Sequence, residues 1–212
     1  PEVCSTCGLT LVKHHMNKFP EFSTNLQSDP TTRRLWYGLA TVHDFETHDG
    51  VSENTLYQGI FKSHFTQLAV IFLWTAGNLF HVAWQGNFEA WIQDPLSVKP
   101  IAHAIFDPHF SASTMTAFSA EGDNTGVIRS FSGLYNLWLT IGLTSNQQLA
   151  ISSVGMLCMS ALFYFAGRLS VASLSWFKNL EAQLTHHLSV VIGLGSIAWA
   201  GHLIHVALPK SR

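Results

Sequence analysis

Three stretches of this sequence are too long and too apolar for the core of a water-soluble domain: about 65–84, 149–171 and 188–208. Crossing a bilayer as a helix takes about 20 mostly apolar residues, and each stretch supplies them. None contains Asp or Glu, and the only Lys or Arg is Arg168, near the end of the second. Hydrocarbon offers no water to backbone N–H and C=O groups, so segments of this length must bond internally as helices. The expected fold is all-α and transmembrane, with three membrane-spanning helices. Only 11% of the 212 residues are charged, against about 25% in soluble domains. A net charge of −2 gives nucleic acid no electrostatic grip, and a chain this apolar would not stay solvated as a disordered one. Gly77, Gly155, Gly167, Gly193, Gly195 and Gly201 are expected where spans approach closely.

Between the spans the chain is organised rather than filler. Residues 1–63 carry turn signals such as Asp29-Pro30 and Thr47–Gly50. Residues 85–147 hold Asp94-Pro95, Asp107-Pro108 and a polar stretch near Ser111–Gly126. The aromatic stretch Phe131–Leu143 is too short to span and reads as an interfacial or re-entrant helix. Lys13, Lys18, Arg33, Arg34, Lys62, Arg168 and Lys178 fall on one side of the membrane, and Lys99, Arg129, Lys210 and Arg212 on the other. Seven against four puts the N-terminus on the cytoplasmic or stromal side.

Twelve histidines outnumber the 11 Lys and Arg together, and their depth is the informative feature. His64 opens the first span and His81 closes it, about 25 Å apart at 1.5 Å per residue. The third span repeats this, with His186 and His187 at its start and His202 and His205 near its end. His187 and His205 are 18 residues apart, five whole turns, which places them on one face about 27 Å apart. Ionisable groups at such depths point to function, and neutral imidazole is the commonest metal ligand among side chains. His43, His48, His103 and His109 flank the spans. Two layers of imidazole on two helices call for cofactors held between helices.

Other chemistries are less well supported. Asp44, Glu46 and Asp49 lie near His43 and His48, but no nucleophile or companion motif joins them. Cys4 and Cys7, followed by His14 and His15, form a lone CxxC at a chain end, too little to specify zinc. Cys158 sits inside a span, and three cysteines make no disulfide framework. The rival from another class is a dihaem b-type electron carrier. His64 would pair with His186 or His187, and His81 with His202 or His205. That carrier needs four ligands, whereas nine histidines are on offer, two of them (His103 and His109) in a loop.

Longer motifs add a resemblance. Asp29–Gly38 (DPTTRRLWYG) leads into Ala40–Gly50 (ATVHDFETHDG). Gly77–Glu89 (GNLFHVAWQGNFE), Pro100–His109 (PIAHAIFDPH), Trp176–Asn179 (WFKN), His186-His187 and Gly201–Ala207 (GHLIHVA) follow. From about Lys18 to Arg212 the chain resembles the N-terminal part of the photosystem I core subunits, the PsaA/PsaB family, and the B member more closely than the A. Residues 1–17 do not match and read as an extension, with Met16 as a candidate natural start.

The resemblance implies the first three helices of an eleven-helix subunit, in its antenna part. It implies that His43, His64, His81, His103, His109, His186, His187, His202 and His205 are axial ligands of chlorophyll magnesium. Gln67 and Asn136 stand where the family has histidine: the Gln67 amide oxygen could still bind magnesium, whereas Asn136 has a shorter reach. One or more of these pigments would be missing or held through water. The connection Arg168–Ser175 lacks a further family histidine. Chlorophyll a, a β-carotene-like carotenoid and lipid are the implied cofactors. The implied partners are the remaining C-terminal part of a PsaB-like subunit, PsaA, small photosystem I subunits and peripheral antenna. The implied setting is a thylakoid membrane, plastid rather than cyanobacterial, with a stromal N-terminus. Photosystem I is a light-driven plastocyanin/cytochrome c6:ferredoxin oxidoreductase. The special-pair ligand and the iron–sulfur cysteines have no counterpart here, so no catalytic residue is expected in this chain. A naturally split plastid-encoded subunit is the expected origin.

Overall fold

The computed structural model describes residues 30–110, 126–130, 132–169 and 172–209. The Cys4–Cys7 zinc question, the extension over residues 1–17 and most of the 111–126 stretch lie outside them. The chain divides into two units, residues 1–60 and 61–212. In the first, α1 (Arg33–His43) buries no residue. Arg33 lies over the Tyr37 ring one turn on, 4.7 Å from its centroid. A 3₁₀ turn (Phe45–Thr47) follows. Then Ser52 caps α2 (Glu53–Gln85): its hydroxyl accepts from Thr55 N at 3.2 Å, and Ser52 N donates to Thr55 Oγ1 at 2.8 Å.

In the second unit α2 continues to Gln85 and is followed by α3 (Phe88–Gln93). A two-stranded antiparallel ribbon joins β1 (Ile101–Ala104) to β2 (Val127–Arg129). Then come α4 (Leu134–Thr140), α5 (Asn146–Leu169), α6 (Leu174–Lys178) and α7 (Leu180–Ala207). Among the described residues, α2, α5 and α7 are the helices long and apolar enough to span a membrane. All three begin before the hydropathy-based spans, because apolarity locates the hydrocarbon whereas caps and hydrogen bonds locate helix ends. His64, His186 and His187 therefore lie inside helices rather than at their starts.

Antiparallel α2 and α5 meet along a seam of small residues spaced seven apart. Ser153 Oγ donates to Ala76 O at 2.8 Å, and Ser160 Oγ donates to Ala69 O at 2.7 Å. At Gly167 a Cβ would come within 2.5 Å of Phe65 Cβ. Seven-residue spacing keeps the seam facing its partner as helices wrap, and each hydroxyl satisfies itself on the opposing backbone. The expectation for glycines is corrected here. Gly77, Gly155 and Gly201 face open space, Gly193 and Gly195 meet only their own helix backbone, and of the six Gly167 alone packs against another helix.

The core lies at the His81 end of this pair. Leu79, Val82, Phe88, Trp91, Tyr135, Trp138 and Leu149 form it. Phe88 and Tyr135 cross edge to face at 5.4 Å and 86°. The aromatic stretch read as interfacial is thus α4, a short helix with Tyr135 and Trp138 buried. Side chains cap the start of α5: Gln148 N donates to Ser145 Oγ, and Thr144 N to Gln148 Oε1. Glu89 accepts from Asn146 N at 3.0 Å, its negative charge placed at the positive end of the α5 dipole.

Helix α7 stands apart from this core, with no buried residue in its apolar length. Its last turns touch α4's end, where His202 Nε2 donates to Ile141 O at 2.7 Å. There Gly142, at φ +108°, leaves room for Val206. Residues His187–Leu194 are π-helical. Each i→i+5 turn takes an extra residue, so His187 and His205 do not share the face that five regular turns would give.

Candidate functional site

Every sequence-predicted ligand is solvent-exposed: His43, His64, Gln67, His81, His103, His109, Asn136, His186, His187, His202 and His205. Exposure of imidazole on otherwise apolar helices is costly in a membrane unless another group covers it. Large apolar side chains stand exposed beside them, including Phe80, Trp84, Leu188, Val191 and Trp199.

The nitrogen each ring leaves open is the chemically telling detail. His186 Nδ1 faces Ala182 O at 2.8 Å, and His187 Nδ1 faces Gln183 O at 2.7 Å, each one helical turn back. His103 Nδ1 lies 2.7 Å from Ala104 O, and His109 Nδ1 lies 3.0 Å from Asp107 Oδ1. His81 Nδ1 lies 2.9 Å from Gln85 Oε1. All five partners are oxygen acceptors, so in a neutral ring Nδ1 carries the proton and Nε2 keeps its lone pair. Metal-ligating histidines are prepared in this way, with the second nitrogen bonded to fix tautomer and ring plane.

His202 is arranged the other way. Its Nε2 donates to Ile141 O, and its ring stacks on Trp199 at 5.1 Å and 13°. His81 has His103 beside it, ring centroids 6.3 Å apart. The dihaem pairing of His81 with His202 therefore lacks a free Nε2 on one partner. Among the described residues, no three His, Cys, Asp or Glu side chains converge on a point that would hold a bare ion. Isolated imidazoles of this kind would hold a metal that a prosthetic group already carries, each supplying a single nitrogen.

Loop residues that the sequence reading passed over hold the His81–His103 corner. Tyr135 Oη, at the centre of the core, accepts from Asn87 N (3.2 Å) and Ile101 N (3.3 Å) and donates to Ile101 O. Asn87 Oδ1 accepts from Ile101 N at 3.1 Å, and Asn87 Nδ2 donates to Lys99 O at 3.1 Å. These bonds clamp β1 to the turn after α2. Burial raises the Tyr135 phenol above its ordinary range, and its bonds to the Asn87 and Ile101 backbone oppose the rise. Gly86 is required there, since a Cβ would lie 2.6 Å from Tyr135 Oη. The available signal was local: Gln85 follows His81 by one turn in HVAWQGNF.

Residues 22–212 match the family described as "Photosystem I psaA/psaB protein". The chain belongs to the PsaA/PsaB family of photosystem I. Curated members similar to it are named "Photosystem I P700 chlorophyll a apoprotein A2". The protein from Chlorella vulgaris is 58% identical, that from Cyanidium caldarium 60% and that from Synechocystis 56%. Each match covers 92% of this chain and 27% of the relative. The chain thus spans about a quarter of the length of these PsaA/PsaB relatives. Membership of this family agrees with three apolar helices, and the curated names of its similar members carry chlorophyll a.

Proposed function

We propose that this chain is a light-harvesting scaffold of photosystem I, holding antenna chlorophyll a in two layers and passing excitation towards the reaction centre. Chlorophyll, when bound, supplies the absorption and the excitation transfer. The chain's residues supply position. The observation carrying the reading is that His81, His103, His109, His186 and His187 each hold Nδ1 on an oxygen and leave Nε2 open. His43, His64 and His205 are exposed and join the ligand set by resemblance, as do Gln67 and Asn136 through their amide oxygens. Gln67 lines a shallow depression on α2 with Lys62, Ser63, Thr66 and Val70. For His202 the proposal rests on resemblance alone, because Ile141 occupies its Nε2.

The exposed faces of α7 would be covered by macrocycles, carotenoid, lipid and neighbouring helices. Those helices would come from the remainder of a PsaB-like subunit, PsaA, small subunits and peripheral antenna. The setting is a thylakoid membrane with the N-terminus stromal. The oxidoreductase activity of photosystem I would belong to the whole assembly, with no catalytic side chain in this part. An absorption spectrum of the detergent-purified native complex, before and after dithionite, tests the reading. A strong red chlorophyll band unchanged by reduction is expected. Sharp haem bands on reduction, without a red pigment band, would overturn it.

A further inference from the structure

The corner where His81 and His103 meet contains an arrangement that ligand positions alone do not require. Gln85 Oε1 takes two contacts at once: His81 Nδ1 at 2.9 Å, and the backbone N–H of Ala104, in β1, at 3.1 Å. A backbone N–H only donates, so the amide atom facing it must be the oxygen. That oxygen only accepts. The His81 nitrogen beside it must therefore carry the proton, and Nε2 must be the bare one. Ala104 also offers its carbonyl to His103 Nδ1 at 2.7 Å, so one residue of the ribbon conditions both rings. Ala104 is in turn fixed in register against Val127.

We propose that Gln85 is a positioning residue. It reads the closure of the β-ribbon through Ala104 N–H and converts it into the ligating tautomer and ring plane of His81. The inference rests on the proposed reading of His81 as a magnesium ligand and adds the residue that makes it one. Without the ribbon, Gln85 is free to turn its NH₂ towards His81, which then presents Nδ1 as an acceptor and Nε2 as an N–H, unable to ligate. Ligation at His81 is thereby coupled to the folding of a segment some twenty residues downstream, so the pigment site forms only when the loop is closed. Outer partners of this kind typically change metal affinity about 10–100-fold when removed.

The test uses intact photosystem I assembled with His81→Leu, Gln85→Leu or Gln85→Glu. Three signals are read: chlorophyll per complex, the low-temperature absorption difference spectrum, and ¹⁵N solid-state NMR of labelled histidine. His81→Leu should remove one chlorophyll and define its band. Gln85→Leu should weaken retention of that same band about 10–100-fold on detergent washing. Gln85→Glu keeps an acceptor for both N–H groups, so it should retain the pigment, shift its band and keep the Nδ1–H signal. If His81→Leu removes a band that Gln85→Leu leaves at wild-type strength, the inference falls and the ligand reading stands. If His81→Leu removes no chlorophyll, the ligand reading falls and takes the inference with it. Should Gln85→Leu fail to assemble, Gln85→Glu decides: loss of its His81 band would overturn the inference.

Discussion

Ser160 of α5 donates its hydroxyl to the carbonyl of Ala69 on α2 across 2.7 Å, and the pair is buried. With Ser153 on Ala76 and Gly167 against Phe65, it makes these two helices the packed part of the bundle.

The seam should tolerate loss of a hydroxyl better than gain of a methyl group. Ser160→Ala removes an interhelical bond of the kind that averages about 0.6 kcal/mol in a membrane. Gly167→Ala forces Phe65 or the helix to move, which typically costs about 1–3 kcal/mol by overpacking. Thermal unfolding of the assembled complex, followed by pigment release, should rank Gly167→Ala below Ser160→Ala.

Tyr135→Phe should loosen the segment between α2 and α5. It leaves the buried Ile101 N–H with only Asn87 Oδ1 and removes one acceptor from Asn87 N–H. A buried group that loses its partner typically costs about 1–3 kcal/mol. Limited proteolysis within residues 94–130 should accelerate in Tyr135→Phe, and more in Gly86→Ala, whose Cβ would also strike Val82 O at 2.6 Å.

The Tyr135 phenol also predicts an alkaline limit. Its folded pKa is raised above the ordinary phenol value of 10.0, chiefly by burial. Between the unfolded and the folded pKa the native state binds more protons than the unfolded one, so stability falls as pH rises. The contribution is fully present below pH 10.0 and is lost as pH climbs through the folded pKa. Phenolate absorbance during alkaline titration should show one tyrosine ionising late, absent in Tyr135→Phe.

His202 should matter first as a clasp. His202→Gln keeps a donor within reach of Ile141 O, whereas His202→Leu removes a bond worth about 0.5–1.5 kcal/mol. Hydrogen exchange at the backbone of residues 140–143 should stay slow in His202→Gln and speed up in His202→Leu. Equal exchange in all three proteins would refute the clasp.

The three spans, the polar connections and the histidines were legible in the chain, because hydropathy and ionisable groups at membrane depth are properties of residues taken one at a time. The lengths of α2 and α7 were less so. Ser52 and Thr55 extend α2 through hydrogen bonds that hydropathy does not register. The π-helical turn at His187–Leu194 broke a face inferred from regular spacing. Six glycines were expected at close approaches, yet Ser153 and Ser160 make the two hydrogen bonds described between α2 and α5. A serine reads as polar until a carbonyl on a neighbouring helix is there to receive it.

Residue-by-residue hydropathy was enough to commit this chain to membrane-spanning helices with histidines near the ends of the first and third spans, since a run of about 20 apolar residues is helix length. His103, His109, His186 and His187 find their acceptors within four residues, but tertiary structure decided which nitrogen is free at His81 and His202. The tautomer of His81 depends on an oxygen of Gln85, whose orientation depends on an N–H nineteen residues away in β1. A proton's position on imidazole is set by its nearest acceptor, and only the folded ribbon brings that acceptor into place.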